Sequence, residues 1–277
     1  MSYCELRIRG ERWLAYPKGM RFPKSFCRNY PFRGRGVVAK ALYATNRIGI
    51  DKLFLPSVAD NLLDAIDIDN VAYFWPSAKR STSRFYGYRV KDGVVVEYLK
   101  CGLTDAEKDV LRQEASNVSK ALEIVNRDFE VPQCIGVEDK AGVLVARYAP
   151  LPEIATDVPV EEAWYSRVDA VRKQIAEAGY SHGDFSWHNF KTDGRKLWIL
   201  DWEEMREGVD SLVDQTSLEY GYAIYWRHKP IELTMKGFDM NRLSAVKDLA
   251  ARGISPGAIM LEYLRKNGFM HEDTTRA

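Results

Sequence analysis

The sequence predicts an α+β fold in two lobes, a small N-terminal lobe with an antiparallel sheet plus one helix and a larger, mainly helical C-terminal lobe. Three observations carry this prediction. Aromatic and β-branched runs recur between about residues 71 and 148, helical periodicity dominates after residue 160, and a polar stretch, His182-Gly183-Asp184-Phe185-Ser186-Trp187-His188-Asn189, interrupts the helical part. The expected boundaries are 1–70 for a basic, aromatic N-terminal extension packing on or near the small lobe, 71–148 for the small lobe and 149–277 for the large one. With 277 residues, 46% of them hydrophobic, the chain can bury a core in each lobe.

Val71 to Trp75, Phe85 to Val90 and Val94 to Leu99 read as three antiparallel strands, the last two joined by Lys91-Asp92-Gly93, a hairpin signature. Thr104 with Glu107 three residues on is a capping box opening a helix that runs to about residue 125. The apolar stripe of that helix includes Leu111, Val118 and Ala121, and Glu114 falls on the same stripe. A carboxylate facing inward needs a cation, and Lys100, which closes the third strand, is the candidate. Ile135-Gly136-Val137 and Val143 to Tyr148 read as two further strands, after which the chain leaves through Ala149-Pro150-Leu151-Pro152. Beyond them the pattern gives a helix over Glu161 to Ala178, a short buried strand at Leu197 to Leu200, and helices over Asp210 to Trp226, Arg242 to Ala251 and from Ser255-Pro256 towards Gly268.

Asp184 precedes Asn189 by five residues, and Asp201 follows Asn189 by twelve at the end of an apolar run. This is the catalytic-loop and metal-ligand spacing of the protein-kinase-like phosphotransferases. Phosphoryl transfer needs positioning and charge neutralisation more than covalent help from the protein. Asp184 is therefore the candidate base that orients an attacking hydroxyl. Asn189 and Asp201 are the candidate Mg²⁺ ligands, both oxygen donors of the kind a hard cation prefers. Lys100 and Glu114 become the candidate grip on the α- and β-phosphates of ATP, and Arg147, Tyr148 and Ala149 the candidate hinge for its base. The loop Pro76 to Arg84, with Ser77, is the candidate phosphate cover, and it contains no glycine, unlike the usual glycine-rich loop.

The forms His182-Gly183-Asp184 and Asp201-Trp202-Glu203 resemble the aminoglycoside phosphotransferase and choline kinase branch of that superfamily. The resemblance implies an ATP- and Mg²⁺-dependent kinase with an alcohol group as acceptor, Asp184 as catalytic base, and Asn189 and Asp201 as metal ligands. It also implies that Asp214 anchors the catalytic loop and that large-lobe helices build the acceptor pocket, for which Trp226, Arg227, His228 and Lys229 are candidates. His182 is expected to buttress the loop. Gly183 stands where protein kinases carry arginine, which argues against control by activation-loop phosphorylation. The expected acceptor is a small molecule or sugar, an envelope carbohydrate such as lipopolysaccharide being favoured. The alternatives are an aminoglycoside or choline-like acceptor, or a noncatalytic binding protein on a degenerate kinase fold.

The net charge of +1 hides an asymmetry, since residues 1–47 hold eleven Lys or Arg against two Glu, a balance of +9 that leaves −8 for the rest. Interleaved with Trp13, Tyr16, Phe22, Phe26, Tyr30 and Phe32, this segment suits contact with an anionic membrane surface or anionic glycan, nucleic acid being the least supported partner. The same residues equally suit a wrap around the small lobe, with the aromatics inside. Cys4, Cys27, Cys101 and Cys134 show neither zinc nor disulfide spacing, and no apolar run is long enough to span a bilayer. A cytoplasmic location, with peripheral contact at the inner face of the membrane, is the expectation.

Overall fold

The computed structural model describes residues 2–8, 11–23, 36–49, 55–75, 84–124, 127–208 and 212–270. The chain divides into two compact units, one formed by Met1–Leu122 with Pro132–Thr156, the other by Glu123–Val131 with Asp157–Ala277.

The first unit is built on eight strands: β1 (Ser2–Ile8), β2 (Glu11–Pro17), β3 (Ser57–Ala59), β4 (Val71–Phe74), β5 (Phe85–Lys91), β6 (Val94–Gly102), β7 (Cys134–Lys140) and β8 (Val143–Tyr148). They form one sheet in the order β3-β1-β2-β4-β5-β6-β8-β7, antiparallel at every junction. Among the described residues three helices accompany it: α1 (Gly36–Ile48), α2 (Asn61–Ile66) and α3 (Asp105–Glu123). Side chains alternate across the pleat, so the two faces carry different cores. One holds Cys4, Leu14, Tyr16, Ala72 and Phe74 with Leu42 of α1, and the other holds Tyr3, Ala15, Val71, Tyr73, Phe85, Leu99 and Val145 with Leu63 and Ile66 of α2. Burial on both faces explains why β4 is a continuous apolar run rather than an alternating one.

Residues 2–17, expected within an N-terminal extension packing on or near the small lobe, supply two strands of this same sheet, and Trp13, Tyr16 and Phe22 are core. Their basic neighbours fit because acids meet them. Buried Glu5 pairs with Arg7 and with Arg12 at 2.6 Å, and Arg12 also pairs with Asp60, the N-cap of α2. The β5–β6 hairpin forms at the predicted Asp-Gly pair, with φ of +52° and +78° at Asp92 and Gly93. The capping box of α3 is reciprocal: the Glu107 N–H donates to Thr104 Oγ1 at 3.3 Å, and the Thr104 N–H to Glu107 Oε2 at 3.2 Å.

The chain leaves the first unit at a two-residue strand, β9 (Thr156–Asp157). The second unit comprises α4 (Glu162–Glu177), β10 (Tyr180–Ser181), β11 (Phe190–Thr192), β12 (Leu197–Ile199), β13 (Arg206–Glu207), α5 (Leu212–Gly221), α6 (Ile231–Thr234), α7 (Leu243–Ala251) and α8 (Gly257–Lys266). The helix predicted to reach Trp226 is α-helical only to Gly221. It continues as a π-helical turn over Tyr222–Trp226, closed by the Arg227 N–H on the Tyr222 carbonyl at 2.9 Å. Val213, Ala245 and Leu249 form one buried cluster under α5 and α7, and Val246, Met260 and Leu264 form another with Met235. An antiparallel sheet with helices in one unit and a mainly helical second unit give the α+β, kinase-like architecture the sequence predicts.

Candidate active site

In the first unit, β6 and α3 bring the two predicted phosphate-gripping residues together. Lys100 pairs across the sheet with Tyr86 on one side and Ala146 on the other, and its Nζ donates to Glu114 Oε1 at 2.6 Å. Both residues are buried, and the Tyr148 ring lies 5.9 Å from the ammonium. Burial, reinforced by the Glu114 charge, pushes the Tyr148 hydroxyl above the ordinary tyrosine range. A buried ion pair is held against its desolvation cost only by close geometry, and losing either partner leaves an uncompensated charge.

In the second unit, the loop after β10 is tied down from its own backbone. The His182 and Gly183 N–H groups donate to the two carboxylate oxygens of Asp214, at 2.7 and 2.8 Å, from the first turn of α5. Burial raises the Asp214 carboxyl, while those donors and the neighbouring His182 act in the opposite sense. His182 is fully buried, its Nε2 3.0 Å from the Leu200 carbonyl and its ring 4.6 Å from that of Trp202. It buttresses the loop. Gly183 adopts φ +85°, and a Cβ there would lie 2.2 Å from the Glu204 carbonyl oxygen, so no arginine could occupy this position without moving the backbone.

Asp184 follows, its carboxylate shared between Ser186 Oγ, which donates to Oδ1, and Asn189 Nδ2, which donates to Oδ2 at 3.2 Å and to the Asp184 carbonyl at 3.0 Å. The Asn189 amide nitrogen is thus committed to Asp184, which leaves its oxygen as the donor for a cation. Asn189 accepts the Leu200 N–H on its backbone carbonyl at 2.9 Å, at the end of the β11–β12 hairpin, so Asp201 follows one residue beyond that bond. Asp201 sits in the left-handed region at φ +65°, ψ +62°, a conformation that costs a non-glycine residue about 1–3 kcal/mol and that clusters at functional sites. An amide oxygen and a carboxylate on adjoining hairpin ends form a donor set that fits a hard divalent ion. Sequence reasoning missed Ser186, which lies only two residues after the candidate base and also approaches Ser217 Oγ of α5 at 3.4 Å.

Three other predicted positions fare differently. Arg147 and Tyr148 lie inside β8, laddered to β6 on one side and β7 on the other, and the Arg147 guanidinium pairs with Glu97 at 3.1 Å and Glu138 at 2.9 Å. The Ala149 N–H donates to the Gln133 carbonyl at 2.8 Å. The chain leaves the sheet at Ala149, after β8 ends at Tyr148. Ser77 lies outside the described residues, as does most of the loop expected to cover the phosphates.

No curated protein matches the chain. The family model of the RIO domain matches residues 79–209, a segment that holds Lys100, Glu114, Asp184, Asn189 and Asp201 and ends before Asp214. RIO is an atypical protein-kinase-like family, and the match does not single out the aminoglycoside phosphotransferase and choline kinase branch. Over these residues, slightly less than half of the chain, the sequence is similar to the RIO domain, a kinase-like ATP-binding fold, and this similarity supports a protein-kinase-like fold and a general ATP-binding role.

Proposed function

We propose that the protein is a phosphotransferase that uses ATP and Mg²⁺ to phosphorylate a hydroxyl of a small molecule or sugar. The observation that carries the proposal is the Asp184 loop: a carboxylate oriented by Ser186 and Asn189 on a backbone clamped by Asp214. Ser186 and Asn189 fix the direction of the Asp184 carboxylate, which holds the acceptor hydroxyl in line and takes its proton as the new O–P bond forms and the bond to the departing β-phosphate oxygen breaks. Asn189 and Asp201 would hold a divalent cation through oxygen, which when bound would supply charge neutralisation for the phosphates, and Lys100, oriented by Glu114, would add positive charge for the non-transferred phosphates.

The basic segment 1–47 is proposed as a peripheral contact for an anionic membrane or glycan, which fits a cytoplasmic enzyme acting on an envelope carbohydrate. Among the described residues no helix is long and apolar enough to cross a membrane. Members of the RIO family are often protein-directed, so a protein hydroxyl is the second acceptor class to assay. The decisive experiment compares wild type with Asp184→Asn, measuring Mg²⁺-dependent phosphate transfer from labelled ATP to sugar, choline-like, aminoglycoside and protein acceptors. Asp184→Asn is expected to lower transfer by about 10²–10⁴-fold while nucleotide binding persists. Equal activity in the two proteins would refute the assignment of the base.

A further inference from the structure

Beside the catalytic loop, the second unit contains a cavity of about 220 Å³ lined by Glu162 and Tyr165 of α4, Glu219 of α5, and Tyr222, Arg227 and Lys229 of the π-helical turn and its exit. Its aromatic wall packs against Trp187 of the loop that carries Asp184. The Trp187 ring lies 4.7 Å from the Tyr222 ring and 6.5 Å from that of Tyr165, and the two tyrosines are 4.8 Å apart. Tyr222 is only 8% exposed, and its hydroxyl has no hydrogen-bond partner among the described residues, an uncommon state for a buried tyrosine.

The charges decide the kind of ligand. Glu219 is already matched, since Arg242 pairs with one of its oxygens and Gln215 donates to the other at 2.7 Å. Arg227 and Lys229 are exposed and form no ion pair among the described residues, whereas Glu162 is the one lining carboxylate without an ionic partner there. Two unmatched cations therefore face one unmatched acid. The backbone of the two cations is tied to the π-helical turn: the Arg227 N–H donates to the Tyr222 carbonyl at 2.9 Å and the Lys229 N–H to the Ala223 carbonyl at 3.0 Å, with His228 between them in the left-handed region at φ +51°. A π-helical turn of this kind is often found at functional sites.

We propose that this cavity is the acceptor site and that it selects an anionic sugar, with the carboxylate or phosphate on Arg227 and Lys229, the ring against the Tyr165 and Tyr222 aromatic wall, and hydroxyls on Glu162 and the Tyr222 hydroxyl. The proposal rests on the phosphotransferase reading. It disfavours a polycationic aminoglycoside, because Glu219 is already paired with Arg242 and the remaining acid, Glu162, is outweighed by Arg227 and Lys229.

The test uses the full chain and four probes, glucuronate, glucose 6-phosphate, glucose and kanamycin, titrated calorimetrically into wild type and the Arg227→Ala/Lys229→Ala variant. Both replaced side chains are exposed, and a thermal shift with ATP and Mg²⁺ reports separately whether the nucleotide site is intact in each protein. Expected is binding of at least one anionic sugar about tenfold or more tighter than glucose, with that preference lost in the variant and the nucleotide shift kept. Where transfer to that sugar is measurable, the variant should raise KM roughly tenfold and leave kcat within about twofold. Equal binding of anionic and neutral sugars by wild type, tightest binding of kanamycin, or an unchanged preference in the variant each overturns the anionic-sugar site. Absence of any nucleotide shift in wild type instead overturns the phosphotransferase reading beneath it.

Discussion

Gly183 and the pair Lys100–Glu114 show how single residues set this site. At Gly183 the backbone conformation and the 2.2 Å approach of the Glu204 carbonyl both exclude a side chain. Gly183→Ala should therefore destabilise the protein by about 2 kcal/mol or more, and thermal unfolding checks it. Lys100→Met strands Glu114 as a buried charge and should cost about 3–5 kcal/mol. Adding Glu114→Gln removes the stranded charge, so the double variant is expected to recover most of that stability but not ATP affinity. Recovery of both would show that the pair is structural only. The residues of this pair were legible because a glutamate on an apolar stripe is chemically anomalous. Ser186 was not, since a serine in a polar loop raises no such anomaly and only its contact with Asp184 gives it a role.

At the scale of elements, local rules predicted most of what the structure holds. The α3 capping box is a sequence signature and forms as a reciprocal pair, so Thr104→Ala is expected to cost about 1 kcal/mol. On a chain of this size that lowers Tm by roughly 2–4 °C in calorimetry. The same helix is tied to β7 by Lys108 and Asp139, 3.2 Å apart, and the hydrogen bond from Lys108 holds the Asp139 carboxyl below its ordinary range. A carboxyl depressed in the folded state stabilises above its unfolded pKa and loses that contribution as pH falls through the folded value. Wild type should accordingly lose stability more steeply than Lys108→Met in acid titrations below about pH 4, which tryptophan fluorescence can follow. The strands β1 and β2 escaped sequence reading because basic residues interrupt their alternation. Their charges are answered by Glu5 and Asp60, acids that only the folded sheet brings near. The π-helical end of α5 was equally hidden, because its periodicity differs from that of an α-helix by one residue in a single turn.

For the whole molecule, the functional proposal predicts linkage between folding and ligand. ATP with Mg²⁺ at 100-fold excess over its dissociation constant should stabilise the chain by about 2.7 kcal/mol, and chelation of the metal should remove much of that gain in a thermal-shift assay. No shift under either condition would leave the Asp184 loop without a nucleotide to serve. The family match and the predicted motif cover the same stretch, so the similarity and the spacing argument are two views of one segment.

The sequence by itself determined the α+β class, the strand-helix pairing of Lys100 with Glu114 and the loop carrying Asp184, Asn189 and Asp201, because each depends on short-range spacing and on the chemistry of residue types. Tertiary structure alone decided that residues 2–17 join the sheet, that Arg147 is spent on Glu97 and Glu138, that Asp214 clamps the loop through two backbone N–H groups, and that Arg227 and Lys229, with no ion pair among the described residues, stand beside an aromatic wall. The physical reason is common to all four. Whether a charge is free, paired or buried depends on partners tens of residues away in the chain, and only folding sets those distances.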